Sequence, residues 1–64
     1  MNKSIEMNDG EYLDLQLGKN DDGYWVIADR DSEEVYASFD NPKTASEVYD
    51  SIVDFTSATK ALWP

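Results

Sequence analysis

Apolar and polar residues alternate in two short segments of the chain, Glu11 to Leu17 and Glu34 to Phe39, and a third segment, Tyr24 to Asp29, is apolar in both phases and lies between two turn-forming stretches. A period of two residues is typical of a strand that buries one face of a sheet. The connections between these segments, Gly18 to Gly23 and Arg30 to Glu33, are short, and short connections join antiparallel strands. The pattern therefore predicts a three-stranded antiparallel sheet.

A helical period replaces this alternation after Pro42. Apolar residues recur at three- and four-residue spacing from Ala45 to Val53, which places them on one helix face. Thr44 and Glu47 have the spacing of a capping box, so the helix begins at Thr44, or one turn earlier with Asn41 as its cap and Pro42 at its first position. We expect a single C-terminal helix that frays between Thr56 and Ala61, because threonine and serine are weak helix formers.

These elements predict an α+β fold of order β-β-β-α, in which the helix covers the leucine face of the sheet. Ile5 and Met7 either extend the first strand or pack as a short lead-in, and Trp63 folds back onto one edge of the core. No repeat, linker or change of composition divides the chain, so residues 1–64 are expected to form one domain. A domain of this length buries only about 60% of its unfolded surface, so the core must be small.

The composition excludes most kinds of chemistry. The chain has no cysteine and no histidine, which removes thiolate metal sites, imidazole ligands and the usual proton shuttle. No nucleophile stands beside a suitable base in the sequence, and a domain this small offers little depth for a catalytic cleft. We therefore expect no enzyme activity, no cofactor and no metal site. The loop segments Asn20 to Gly23 and Asp29 to Glu34 concentrate oxygen ligands, but neither has the spacing of a calcium loop.

Acidic residues dominate the charge of the chain. Fourteen Asp and Glu oppose five Lys and Arg, which gives a formal net charge of -9. This balance disfavours direct binding to nucleic acid or to an anionic membrane and favours a basic protein surface. Repulsion between two such bodies favours a monomer. The sequence has neither an apolar run of about 20 residues nor a secretory leader, so we expect a cytoplasmic protein.

Three acids on the predicted helix form the first candidate site. Glu47, Asp50 and Asp54 stand at i, i+3 and i+7, so on one helix they form a stripe of carboxylates about 5 to 6 Å apart along the axis. Phosphates along a nucleic-acid strand are about 6 to 7 Å apart, and the stripe can imitate them. Acids in the loops extend this candidate surface: Asp21, Asp22, Asp29, Asp31, Glu33 and Glu34. The plainer interpretation assigns these acids to solvation and turn geometry.

Three tyrosines form the second candidate site. If Trp25 and Ile27 point into the core, then Tyr12, Tyr24 and Tyr36 share the outer face of the sheet. Tyrosine is suited to protein interfaces because its ring buries a large area at a low entropy cost. The opposite facing of the second strand fits the pattern equally well, since both of its phases are apolar.

Small size, extreme acidity, the lack of His and Cys, and a sheet-plus-helix pattern together resemble the phage anti-CRISPR proteins that mimic DNA. The resemblance covers the whole chain and is one of type, without a diagnostic motif. It implies an inhibitor whose acids occupy the basic surface where a CRISPR effector holds target DNA or reads its PAM. We expect a multisubunit type I effector in preference to a single-protein nuclease. It also implies a location in the host bacterial cytoplasm. The alternative is a non-enzymatic protein-interaction module that binds through the tyrosine face.

Overall fold

One antiparallel sheet with strand order β1-β2-β3-β4 and two helices make up the fold in the computed structural model, which describes residues 1–63. The elements are β1 (Asn2–Glu6), β2 (Tyr12–Lys19), β3 (Trp25–Asp29), β4 (Val35–Phe39), α1 (Pro42–Ser51) and α2 (Phe55–Leu62). The α+β class predicted from the sequence is confirmed. The predicted numbers of three strands and one helix are wrong, because β1 was missed and the helix is divided in two.

β1 pairs with β2 through a tight turn at Asn8-Asp9-Gly10. Ile5 lies opposite Leu13, and Gly10 has a φ of 87°, a left-handed conformation that glycine adopts without a Cβ clash. The backbone N–H of Met7 donates to the carbonyl of Glu11 at 2.7 Å and closes the hairpin. The residues proposed as an extension or lead-in thus belong to a separate strand and its turn.

The inner strand β2 pairs with β1 and β3 along different parts of its length. Its first part pairs with β1 from Tyr12 to Gln16, and its last part pairs with β3 from Leu15 to Lys19. The β1–β2 and β3–β4 turns therefore lie at the same end of the sheet. The first extends beyond the second by about three residues, roughly 10 Å of strand.

The helical region is interrupted at Ile52 to Asp54. The Asn41 side chain caps α1 by accepting from the Lys43 N–H, and Pro42 occupies the first turn, which confirms the earlier of the two predicted starts. The break follows because Asp54 caps a second helix: its carboxylate accepts from the Ser57 N–H, while the Ser57 hydroxyl accepts from the Asp54 N–H. This capping box satisfies backbone donors that a continuous helix would bond internally.

The core lies between the sheet and the two helices. Its fully buried side chains include Leu15, Ile27, Tyr49 and Ile52. The Tyr49 hydroxyl donates to the backbone carbonyl of Leu15 at 3.3 Å, so this ring is buried without an unpaired polar atom. Among residues 1–63, every buried side-chain nitrogen or oxygen has a hydrogen-bond partner.

Candidate acidic interface

The β3–β4 turn carries the densest group of acids. Asp29, the last residue of β3, organises this turn: its Oδ1 accepts from the backbone N–H of Asp31 at 2.8 Å and of Ser32 at 3.3 Å. Its carbonyl accepts from the N–H of Glu33 at 2.9 Å. The side chains of Asp31, Glu33 and Glu34 are exposed, so this turn holds three carboxylates in contact with solvent.

Asp29 differs from these neighbours because its carboxylate is engaged within the fold. The hydrogen bond from the Asp31 N–H lowers the pKa of Asp29 most, burial opposes this effect, and bonds from Ser32 and the Tyr36 hydroxyl lower the pKa further. Asp29 therefore stays ionised at neutral pH. It positions the turn and adds negative charge at its base.

Glu33 occupies a conformation that is unusual for its residue type. It is the only non-glycine residue with positive φ among residues 1–63, with a φ of 62°. The left-handed region costs an L-residue about 1–2 kcal/mol, and Gly, Asn or Asp are the usual occupants. The turn thus holds a glutamate at a position where other residues would fold more easily.

Acids from the first hairpin extend this group. The β1–β2 turn lies at the same end of the sheet as the β3–β4 turn, and Asp14 neighbours Arg30, whose N–H donates to the Asp14 carbonyl at 2.9 Å. We define the acidic end as the carboxylates of these two hairpins: Glu6, Asp9, Glu11, Asp14, Asp29, Asp31, Glu33 and Glu34. Eight of the fourteen acids of the chain therefore lie toward one end.

Two of the six predicted loop acids lie away from the acidic end. Asp21 and Asp22 are in the β2–β3 turn at the opposite end of the sheet, and both are exposed. Asn20 shapes that turn, since its Oδ1 accepts from the N–H groups of Asp22 and Tyr24. The structure therefore does not bring all of the predicted loop acids together.

The predicted helix stripe is broken by the division of the helix. Glu47 and Asp50 lie on α1 and are exposed, whereas Asp54 has extended backbone and caps α2. The bond from the Ser57 N–H lowers the pKa of Asp54 most. The predicted stripe of three carboxylates on one helix is therefore wrong. Only Glu47 and Asp50 lie on the same helix, at the predicted spacing of three residues.

The predicted tyrosine platform is also divided. A β-bulge shifts the register of β4, so Tyr36 turns to the core, where its ring meets Trp63 edge-on with centroids 5.4 Å apart. An extra residue reverses the alternation of a strand, which explains this change. Tyr12 and Tyr24 are exposed, but they flank opposite ends of β2, about 26 Å apart by the strand rise. No shared three-tyrosine face exists in this sheet.

Burial raises the pKa of the Tyr36 hydroxyl, and the nearby carboxylates of Asp29 and Glu34 raise it further. The hydroxyl donates to Asp29 Oδ2 at 3.4 Å. Tyr36 therefore remains neutral at physiological pH and links the base of the acidic turn to Trp63. Trp63 itself is 37% exposed.

A shallow groove lies between the two helices. It has a volume of about 440 Å³ and is lined by Val48, Ser51, Ser57, Lys60 and Ala61. Within residues 1–63, no three acidic side chains converge on a point where a metal ion could bind. Over the same range, neither helix has the length and apolar character needed to cross a membrane.

Sequence reasoning missed the contribution of the first hairpin. The signal was available, because Asn8-Asp9-Gly10 between apolar residues is a strong hairpin turn motif. No sequence motif predicts the bulge at Tyr36. No known protein family, curated protein or solved structure matches the chain.

Proposed function

We propose that this protein is an anti-CRISPR-type inhibitor that binds the basic DNA-binding surface of a CRISPR effector, with a type I complex preferred, and blocks target DNA. The observation that carries the proposal is the acidic end, where eight carboxylates lie on two adjacent hairpins. Six of the eight are exposed, all but Asp14 and Asp29, and exposed carboxylates in such density present to Lys and Arg the same sign of charge as a phosphate backbone. The partner is thus a protein surface built to hold nucleic acid.

The energetic cost of these acids supports a binding role. Self-repulsion at a net charge of -9 destabilises a small domain, and solubility alone requires a net charge of only about 2 to 8 in magnitude. Glu33 adds backbone strain to this cost. A turn that served only to connect β3 and β4 would be more stable with glycine or asparagine at this position.

Arg30 is the one base within the acidic turn, and the remaining bases lie elsewhere. The ammonium of Lys3 donates to the backbone carbonyls of Tyr49 and Ile52, and of the acids at this end only Asp14 lines a pocket with Lys3 and Arg30. Lys19, Lys43 and Lys60 belong to β2, α1 and α2. The potential of the acidic end is therefore left largely uncompensated for a cationic partner.

The test is capture of a CRISPR effector by the tagged protein, followed by measurement of target DNA binding by the recovered complex at low and high salt. We expect capture that weakens with salt, because the contacts are between exposed charges, and loss of DNA binding by the captured effector. The informative variant is Asp31→Asn with Glu34→Gln, which removes two charges from the acidic turn with little change of shape.

The matched control is Asp21→Asn with Asp22→Asn, which removes the same charge at the opposite end of the sheet. A second control is Glu47→Gln with Asp50→Asn on α1. We expect the turn variant to lose capture and the Asp21/Asp22 control to retain it. Equal loss in all three variants would assign the effect to net charge. Capture of an effector that still binds its DNA would contradict the proposed function.

A further inference from the structure

The two edges of the sheet differ in how they are protected. The β1 edge carries Lys3, whose side chain points inward and bonds to the carbonyls at the helix junction. An inward charge is one of the devices that prevent another strand from pairing at an edge. β4 has the sequence Val-Tyr-Ala-Ser-Phe, with no charged residue and no proline. Within β4, the bulge at Tyr36 is the one feature that disfavours pairing with another strand.

The hydrogen-bond pattern of residues 1–63 identifies the backbone groups of β4 that have no partner within this range. The N–H of Asp29 donates to Glu34 on the β4 side, and the N–H of Arg30 donates to Asp14 on the β2 side. Because backbone groups alternate in direction along an antiparallel strand, the N–H and C=O groups of Ala28 and Val26 point toward β2. Their partners on β4, Val35 and Ser38, therefore direct their N–H and C=O groups away from the sheet.

These two positions are open to a partner. Val35 is 55% exposed and Ser38 is also exposed. Acids flank the strand at both ends, with Glu33 and Glu34 before it and Asp40 after it. We propose that the β4 edge accepts an extended, lysine- or arginine-containing segment of the protein partner as a fifth strand, by backbone pairing at Val35 and Ser38. The positive charge assigned to the partner rests on the proposed function.

Charge complementarity favours this occupant over a second copy of the chain. In an antiparallel pair of two β4 strands, the start of each strand lies beside the end of the other. When Val35 of one copy faces Ser38 of the other, Glu33 faces Asp40, and like charges opposite each other destabilise strand pairing. A basic segment instead meets acids at both ends while its backbone completes the hydrogen bonds.

The probe is a short peptide of alternating lysine and valine, and the readout is amide hydrogen exchange at Val35 and Ser38 measured by NMR. We expect exchange at both amides to slow about tenfold at saturation. The control peptide has the same sequence with alternate backbone nitrogens methylated, which keeps the charge but blocks pairing. Loss of the paired bonds is expected to weaken its binding about tenfold.

A protein variant tests the same contact independently. Ser38→Pro removes an N–H that faces away from the sheet and adds no charge, and such edge positions tolerate proline; Ser38→Thr is its matched control. We expect about tenfold weaker peptide binding for the proline variant only, with far-UV circular dichroism checking its fold. Equal affinity of the methylated peptide would overturn the inference. The inference would also be overturned if, without peptide, sedimentation showed a dimer and hydrogen exchange showed protected amides at Val35 and Ser38.

The outcomes separate this inference from the proposed function. If the edge is not used, Ser38→Pro leaves effector capture unchanged while Asp31→Asn with Glu34→Gln still abolishes it. If the function is wrong, peptide pairing at β4 persists while captured effectors, if any, retain their DNA binding. Each hypothesis therefore fails on a different measurement.

Discussion

The ammonium group of Lys3 lies 2.7 Å from the carbonyl oxygen of Tyr49 and 4.3 Å from the centroid of the Tyr49 ring. The same nitrogen donates to the carbonyl of Ile52 at 2.9 Å. A residue of the first strand thus donates to two carbonyls at the end of α1, where the carbonyl of Tyr49 also accepts from the N–H of Ile52. This contact joins the edge of the sheet to the helix junction.

Replacing Lys3 with methionine is expected to destabilise the fold. The substitution keeps most of the side-chain volume but removes two charged hydrogen bonds and the cation–π contact, and we expect a loss of about 2 kcal/mol in unfolding free energy. Urea denaturation measures this quantity. The control is Lys19→Met at the exposed end of β2. An equal effect of both substitutions would show that charge, rather than the junction contact, is responsible.

Replacing Glu33 with glycine is expected to stabilise the protein by about 1 kcal/mol, because glycine adopts positive φ without a Cβ clash. The control Glu33→Gln removes the charge but keeps the strained backbone, so its stability should remain close to that of the parent. Thermal unfolding distinguishes the two variants. If glutamine stabilised as much as glycine, repulsion among the acids would be the cause.

The Asp54 cap is expected to make stability depend on acidic pH. Hydrogen bonds from Ser57 lower the pKa of Asp54 below 3.8 in the folded state. The carboxylate therefore contributes stability that is present above the unfolded pKa and is lost as the pH falls through the folded pKa. Asp54→Asn should flatten this acid limb of stability in urea titrations, whereas Asp22→Asn should leave it unchanged. Parallel pH profiles for the two variants would contradict the capping role.

Tyr49 is expected to impose a limit at alkaline pH. Burial raises the pKa of its hydroxyl above 10.0, and the charge of Asp50 adds to this shift. The unfolded chain loses the tyrosine proton first, so stability is fully present below pH 10.0 and declines as the pH rises toward the folded pKa. Tyr49→Phe should reduce this decline and cost about 1 kcal/mol at neutral pH through the lost hydroxyl bond. An unchanged alkaline profile in Tyr49→Phe would contradict this assignment.

Local patterns were sufficient to predict β2, β3 and β4, and they limited the start of α1 to two positions, of which the structure shows the earlier. Alternation of leucines and the Asn41-Pro42 cap act within a few residues, so they are readable without tertiary knowledge. The division of the helix depended on a competition: the apolar period continues through Val53, but the Asp54–Ser57 box and the long-range contact from Lys3 favour a break. A contact across 49 residues has no local signature.

The candidate site was predictable in composition and less so in arrangement. Acids in turns are visible in sequence, but their grouping at one end depends on the order of the hairpins, which required β1. The inward turn of Tyr36 depends on a single bulged residue in β4, and no residue type in Val-Tyr-Ala-Ser-Phe marks it. A bulge is set by how two strands fit, so the tyrosine platform could not be judged from one strand.

The bare edge of β4 also bears on the colloidal behaviour of the protein. At neutral pH, the net charge of -9 opposes the approach of two copies and therefore disfavours strand pairing at that edge. Near the isoelectric point of about 4.1, the repulsion disappears while the unpaired backbone groups of Val35 and Ser38 remain. We therefore expect the protein to stay dispersed in mildly alkaline buffer and to associate through this edge on acidification, which light scattering across the pH range would measure.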